Sequence, residues 1–195
     1  MSPDVRSRLL DATFVCLARV GIAKTSVDDI AREAGCSRAT LYRHIGGKDE
    51  LVSALGHREL LRLDEALAAA ERDRTDLAGA CAGLMAEGAA FLGSHPVLET
   101  MLAIEPSVVT PLLSLGQDDF LIGAAHLVAP HLARHLADET TRLRVAELLV
   151  RVTVSHLQSP DPHRPLTDPQ VAQSIVDQYI VPGFVGEPAT GRIHS

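Results

Sequence analysis

Tryptophan and asparagine are missing from this 195-residue chain, lysine occurs only twice, and aromatic residues make up 3%. The three cysteines, Cys16, Cys36 and Cys81, are odd in number and widely spaced. They form neither a disulfide framework nor a Cys-x-x-Cys metal site, which fits a reducing cytoplasm. Cys36 reads as a small buried thiol, with oxidant sensing as the alternative. No signal peptide opens the chain, and no run of about 18 apolar residues offers a bilayer span, so no membrane partner is expected. There is no P-loop, no glycine-rich nucleotide motif, no His-Glu-x-x-His and no ordered Ser/His/Asp set. The sequence therefore supports neither an enzyme nor a resident cofactor. His131 and His135 stand four apart, a spacing that chelates zinc on a helix, but no third ligand accompanies them. They read as surface or helix-end histidines, and no metal site is assigned.

What is present points to a globular chain with length enough for a buried core: apolar residues reach 46%. The net charge of −7 argues at first against a nucleic-acid partner. It is unevenly spread, however. Residues 1–60 hold nine Lys and Arg against eight Asp and Glu, including both lysines, Lys24 and Lys48. DNA affinity follows the local field at the contact face rather than the total.

The stretch Lys24 to Leu51, KTSVDDIAREAGCSRATLYRHIGGKDEL, carries the functional argument. Thr25 with Asp28, and Ser26 with Asp29, both fit the Ser/Thr-x-x-acid capping box. Ile30, Ala31 and Ala34 give the helix that follows a narrow apolar face, and Gly35 ends it by adopting the left-handed conformation a sharp turn needs. Ser37 then caps a second helix, Arg38 to His44 or Ile45, with Leu41 and Ile45 pointing inward. This is a helix-turn-helix. With Leu41 and Ile45 marking the buried direction, Ala39, Thr40 and Arg43 face the opposite way, and Tyr42 and His44 lie on the flanks. A helix of this kind suits the major groove. Arg43 or Arg38 would read guanine, Ala39 or the Thr40 methyl would meet a thymine methyl, and flank residues would touch phosphates. Lys48 opens the next helix near the same surface. The expected DNA-contact set is Thr25, Ser37, Arg38, Ala39, Thr40, Tyr42, Arg43, His44 and Lys48; the plain alternative is an ordinary polar surface helix.

SVDDIAREAGCSRATLYRHIGGKDEL resembles the DNA-binding signature of TetR-family (tetracycline-repressor-like) transcriptional regulators, and RLLDATFVCLARVGIAKTS resembles that family's first helix. The resemblance covers about the first quarter of the chain. It implies a homodimeric, mostly repressive regulator with a C-terminal domain that binds a small molecule. Two positions depart from the pattern: Ile45 stands where an aromatic is usual, and Gly46-Gly47 replaces a stiffer linker ending in a capping Ser. Those departures predict a looser junction after the reading helix.

In chain order, Arg6 to Arg19 is amphipathic through Leu9, Leu10, Phe14, Leu17 and Ala18, with Gly21 ending the helix and Ile22 plugging a core of Ile30, Leu41 and Ile45. A long helix is expected from Asp49 to about Arg72, then a charged loop over Glu71 to Asp76. From Thr75 to Ala133 there is no Lys or Arg. Apolar helical patterns fill Leu77 to Gly93, Pro96 to Ile104 and Phe120 to Leu136, broken by Pro96, Pro106, Pro111 and Pro130. Gly79, Gly83, Gly88 and Gly93 either thin a helix beside a cavity or allow close helix packing. The resemblance places a ligand pocket hereabouts. Its candidate lining residues are Met85, Phe91, Met101, Leu102, Phe120 and His126. That composition favours an uncharged or cationic apolar effector over an acyl-CoA. Glu87, Glu99 and Glu105 read as solvated carboxylates or partners for a cation, and Arg58 or Arg62 would supply an inward cation only by turning in.

Asp138 to Gln158 and Pro169 to Ile180 read as two further helices, the second opened by Pro169. With Val171, Ile175, Val176 and Tyr179 as an apolar stripe, the pair from two protomers fits a four-helix dimer interface; the alternative is that the same stripe closes the monomer's own core. The stretch from about 183 to Ser195 reads as a polar, mobile tail. The expected fold class is all-α: residues 1–47 as an N-terminal three-helix helix-turn-helix domain, and residues 48–195 as a C-terminal helical ligand-binding and dimerisation bundle. The expected function is a cytoplasmic, ligand-responsive regulator. It would bind a palindromic double-stranded DNA operator as a homodimer and be released by a small-molecule effector. The alternative is a helical small-molecule or partner-binding protein whose helix-turn-helix does not engage DNA.

Overall fold

A computed structural model describes residues 3–105 and 118–185, with side chains over 5–105 and 121–184. Pro106, Pro111, the Phe120 side chain and the tail from residue 186 lie outside the described residues. All regular structure among the described residues is helical, so the chain is all-α. No single helix among them is long and apolar enough to cross a membrane. The chain divides into two compact units, Met1–Leu63 with Leu92–Gln117, and Asp64–Phe91 with Asp118–Ser195.

The first unit holds α1 (Pro3–Lys24), α2 (Val27–Glu33), α3 (Arg38–His44), the opening turns of α4 (Lys48–Glu71) and α6 (Pro96–Ile104). The apolar spacing of α1 divides its buried side chains between two clusters. Leu9, Ala12 and Cys16 join Ile30, Ala31, Leu41 and Leu51. Leu10 and Leu17 join Leu55, Val97 and Met101, with Phe14, Ile22 and Ile45 packed against them. Ile22 thus belongs with the α6 contacts and not, as expected, with Ile30 and Leu41, because α1 bends before reaching it. Gly21 makes that bend at φ 78.

Beside Gly21, Glu105 accepts the N–H groups of Ile22 at 2.9 Å and Ala23 at 2.7 Å. A Cβ on Gly21 would stand 2.8 Å from that carboxylate, so glycine supplies both the dihedral and the room. Glu105 is therefore neither a solvated surface carboxylate nor a cation partner: it satisfies amides that the broken helix leaves open. Thr100 adds a second tie from α6 to α1, donating to the Ala18 carbonyl at 2.5 Å. His95 caps α6 through Nδ1, which accepts from Leu98, and its ring meets Phe14 edge-on. The two arginines considered as inward cations are bound by acids instead, Arg58 by Asp11 at 2.6 Å and Arg62 by Glu59 at 3.2 Å.

The second unit takes the end of α4 and most of α5 (Leu77–Gly93). It continues with α7 (Asp118–Val128), which tightens into a 3₁₀ turn at Ala129–Leu132, and α8 (Glu139–Gln158). It ends with α9 (Pro169–Ile175), a π-helical turn over Val176–Ile180 and α10 (Val181–Val185). Helix therefore continues past Pro182, inside the stretch predicted as tail. Asp138 caps α8 by accepting from the Thr141 amide at 2.7 Å, and the Thr141 hydrogen bonds hold its carboxyl below the usual range. Of the α5 glycines, Gly83 serves close packing: a Cβ there would lie 2.9 Å from the Ala70 carbonyl oxygen of α4. Burial pushes the Cys81 thiol on the same helix up to about 12.

The long helix ends close to where the sequence places it: Glu71 is the last residue of α4 and is buried, so the charged loop begins after it. Arg134 donates to its carboxylate at 2.6 Å and also to the Glu71 and Arg72 carbonyls. His135 Nε2 lies 3.1 Å from the same oxygen, and His131 Nε2 lies 3.0 Å from Asp64. The two histidines are thus helix-end residues but mostly buried, each against a carboxylate of α4. Among the described residues no group of three or more His, Cys, Asp or Glu is placed to hold a metal ion.

Candidate nucleic-acid interface

Two caps and a turn build the surface. Of the two possible capping boxes at the start of α2, the structure uses Ser26 with Asp29: the Ser26 hydroxyl accepts the Asp29 amide at 3.2 Å, and Asp29 accepts the Ser26 amide at 3.2 Å. These Ser26 hydrogen bonds, with Arg32 behind them, hold the Asp29 carboxyl below its ordinary range. Replacing Ser26 with Ala is expected to lower the stability of the first unit by about 1 kcal/mol, read as a shifted urea midpoint in far-ultraviolet circular dichroism. An unchanged midpoint would show that the box is dispensable.

Gly35, at φ 65, turns the chain out of α2, and Ser37 caps α3 by accepting from Thr40 at 3.1 Å. Leu41 is fully buried, while Arg38, Ala39, Tyr42 and Arg43 are exposed and Thr40, His44 and Lys48 are half-buried. The face that the wheel turns away from the core is therefore open to solvent along α3. Ser37 is exposed too, but its oxygen is already engaged as the cap. Thr25 leaves the contact set. It is buried, and its hydroxyl donates to the Gly21 carbonyl at 2.6 Å. The same residue type that caps helices also closes bends, and only the bend at Gly21 distinguishes the two roles.

After α3 the chain turns at Gly46, φ 105, where a side chain would be strained. The Gly47 carbonyl accepts from Leu51 at 3.2 Å, and the Glu50 carboxylate reaches back to the Gly47 amide at 2.9 Å. Glu50 thus supplies half of a capping box at a junction where the capping serine is absent. This contact tightens the linker that the two glycines had suggested would be loose.

Arg38 is the one reading-helix cation with neighbours of its own. Its guanidinium pairs with Asp28 at 3.1 Å and lies 5.9 Å from the centroid of the Tyr42 ring. Tyr42 first, and then Asp28, hold its pKa above the ordinary arginine value. Arg19 and Glu33 bridge α1 and α2 at 2.8 Å, and Arg32 pairs with Asp29. The acids of α2 are thereby matched by arginines, which leaves Arg43 and Lys48 to set the local field near the open face of α3.

A family model described as bacterial regulatory proteins of the tetR family matches residues 9–55. Over those residues the chain is similar to the N-terminal domain of the TetR family. One relative, the HTH-type transcriptional regulator BetI 2 of Chromohalobacter salexigens, is 39% identical over 69 residues. The match covers 35% of this chain and 33% of that protein, so the chain aligns with about a third of its relative's length. Two solved TetR-like structures extend the likeness of fold. The TetR family repressor AlkX from Dietzia superposes with a TM-score of 0.62 at 18% identity, covering 91% of this chain and 92% of that one. The fatty acid degradation regulator FadR from Bacillus halodurans gives 0.62 at 18% identity over 93% and 98%. The TetR signature thus lies in the helices that present Arg38 to Arg43.

The effector candidates do not form one lining among the described residues. Met101 sits in the core of the first unit, Met85 is buried in α5 of the second, and Phe91 is half-buried near the end of α5. Leu102 and His126 face solvent, since each falls on the outer side of its helix. A cleft of about 230 Å³ in the second unit runs between Ala70, Arg74, Gly83, Glu87, Thr167 and Gln173, and none of the five described candidates lines it. Composition and spacing located apolar residues here but did not distinguish core from surface.

Proposed function

We propose that this protein is a transcriptional regulator of the repressor kind. It binds a palindromic operator as a homodimer and is released by a small uncharged or cationic apolar effector. The observation that carries the reading is the open face of α3, with Leu41 buried beneath an exposed Ala39, Tyr42 and Arg43. Such a helix enters the major groove, and a two-fold dimer sets two of them about 34–36 Å apart, or a multiple, on matching half-sites. Dimerisation is supported by Tyr179, 71% exposed on the C-terminal helical segment, and by half-buried Leu148 and Val152 on α8. The effector class is supported by the absence of Lys and Arg from Thr75 to Ala133. Effector binding releases DNA only if it favours a conformer whose reading helices no longer match the half-site spacing.

The test measures binding of fluorescent duplexes covering the DNA upstream of the protein's own gene, at two salt concentrations. Arg43→Ala is expected to cost about 1–3 kcal/mol and to relax preference at one base position, whereas Tyr42→Phe weakens all sequences alike. Equal, sequence-independent losses would remove Arg43 from base reading. Salt-insensitive, negligible binding by the parent chain would leave the reading of a helical binding protein with an idle helix-turn-helix.

A further inference from the structure

The pairing of Arg38 with Asp28 has no evident role in stability. The side chains are 57% and 53% exposed, and exposed ion pairs of this kind contribute little to folding. The pair also places a carboxylate on α2 beside a helix argued to meet polyphosphate, an unfavourable position for a negative charge unless that charge is used. Its partner is the first residue of α3, and the N-terminal residues of a reading helix are those that reach base edges. Arg38 is held from two directions: Asp28 takes Nη1, and Tyr42, one turn along the same helix, offers its ring face at 5.9 Å. A guanidinium carries five N–H donors in a rigid plane, so one bond to a carboxylate leaves a pair of parallel donors for another acceptor.

We propose that Asp28 is a positioning residue for sequence reading. It fixes the plane of the Arg38 guanidinium in the free protein, so that Arg38 meets a guanine edge without first having to be ordered. This rests on the DNA-binding reading of α3. The neighbouring acid, Asp29, is not available for the task, because Ser26 and Arg32 already hold it. Among the described residues Arg43 has no such tether, so the two arginines differ in pre-organisation. Ordering a long side chain is part of the cost of association, and a tether formed before binding removes that cost selectively for the base that Arg38 reads.

The experiment selects duplexes from a random-sequence pool with the full-length wild-type chain. It then measures affinities for the enriched sequence and its single-base variants with Asp28→Asn, Arg38→Ala and the double variant, at one salt concentration. Arg38→Ala is expected to flatten preference at one position of each half-site by roughly ten- to a hundredfold, as for loss of a bidentate guanine contact. Asp28→Asn is expected to flatten that same position by roughly two- to tenfold, the range set by ordering one side chain. The double variant should then be no worse there than Arg38→Ala alone. Thermal melts should match wild type for all three, since the pair is exposed.

Three results would overturn the proposal. In the first, Asp28→Asn strengthens binding to every duplex alike, which makes Asp28 only a repulsive charge. In the second, it flattens a different position, or the two effects simply add. In the third, the wild-type chain enriches no sequence at all, which defeats the DNA-binding reading itself and is recognised by the parent chain's own failure.

Discussion

Leu41→Ala is expected to destabilise the helix-turn-helix by about 2–5 kcal/mol and to abolish sequence-specific DNA binding. Leu41 is fully buried among Leu9, Ala12, Cys16, Ile30, Ala31 and Leu51, drawn from α1, α2 and α4. Its helix, α3, is seven residues long, and a helix of that length does not persist in water on its own local propensity. The Ser37 cap and half-buried Ile45 remain in the variant, but neither replaces the lost volume at the centre of the cluster. Hydrogen exchange read by mass spectrometry checks this directly: amides over residues 38–45 should exchange roughly 30- to several-thousandfold faster, the range equivalent to that loss. Leu41→Met conserves volume and should cost less than about 1.5 kcal/mol while retaining binding. Wild-type exchange and wild-type affinity in Leu41→Ala would show that something other than this side chain anchors the reading helix.

The second large effect falls on Glu71. Burial disfavours its charge, yet Arg134 and His135 outweigh that and hold its carboxyl below the ordinary range. Removing one member of a fully buried pair costs about 3–5 kcal/mol; with Arg134 half open to solvent, Glu71→Ala should cost roughly 2–3 kcal/mol. The loss leaves Arg134 bound only to the Glu71 and Arg72 carbonyls. The linkage has a definite sign. A carboxyl whose folded pKa lies below its unfolded value stabilises the fold above the unfolded pKa and loses that contribution as pH falls through the folded one. Wild type should therefore lose stability as pH drops from about 5 towards 3, and Glu71→Gln should show a shallower slope over that interval in urea titrations. Identical slopes would assign the acid sensitivity to other carboxylates.

The helix-turn-helix was legible because its signals are short-range. A serine three residues before an acid, a glycine at the turn and a leucine one turn from an isoleucine each act within a single helical turn. Even there, local rules left two capping boxes open, and the choice of Ser26 over Thr25 came from the bend at Gly21, where the Thr25 hydroxyl is consumed. The Glu50 cap on Gly47 obeys the same three-residue rule, but glycine in place of serine removes the side-chain half of the pattern. Apolarity does not separate the core from a ligand lining: Met85 and Met101 are packed inside, while Leu102 is 43% exposed.

By itself the sequence determined the all-α class, the capped helices around residues 25–51 and the side of α3 that turns from the core, since each follows from hydrogen bonds or periodicity within a few residues. The tertiary structure alone decided that Glu71 pairs with Arg134 across 63 positions and that Glu105 caps the amide of Ile22 across 83. It also decided that Asp28 holds Arg38. Such partners are set by which helices pack together and at what depth. A charged residue in a sequence looks the same whether solvent or a distant arginine satisfies it.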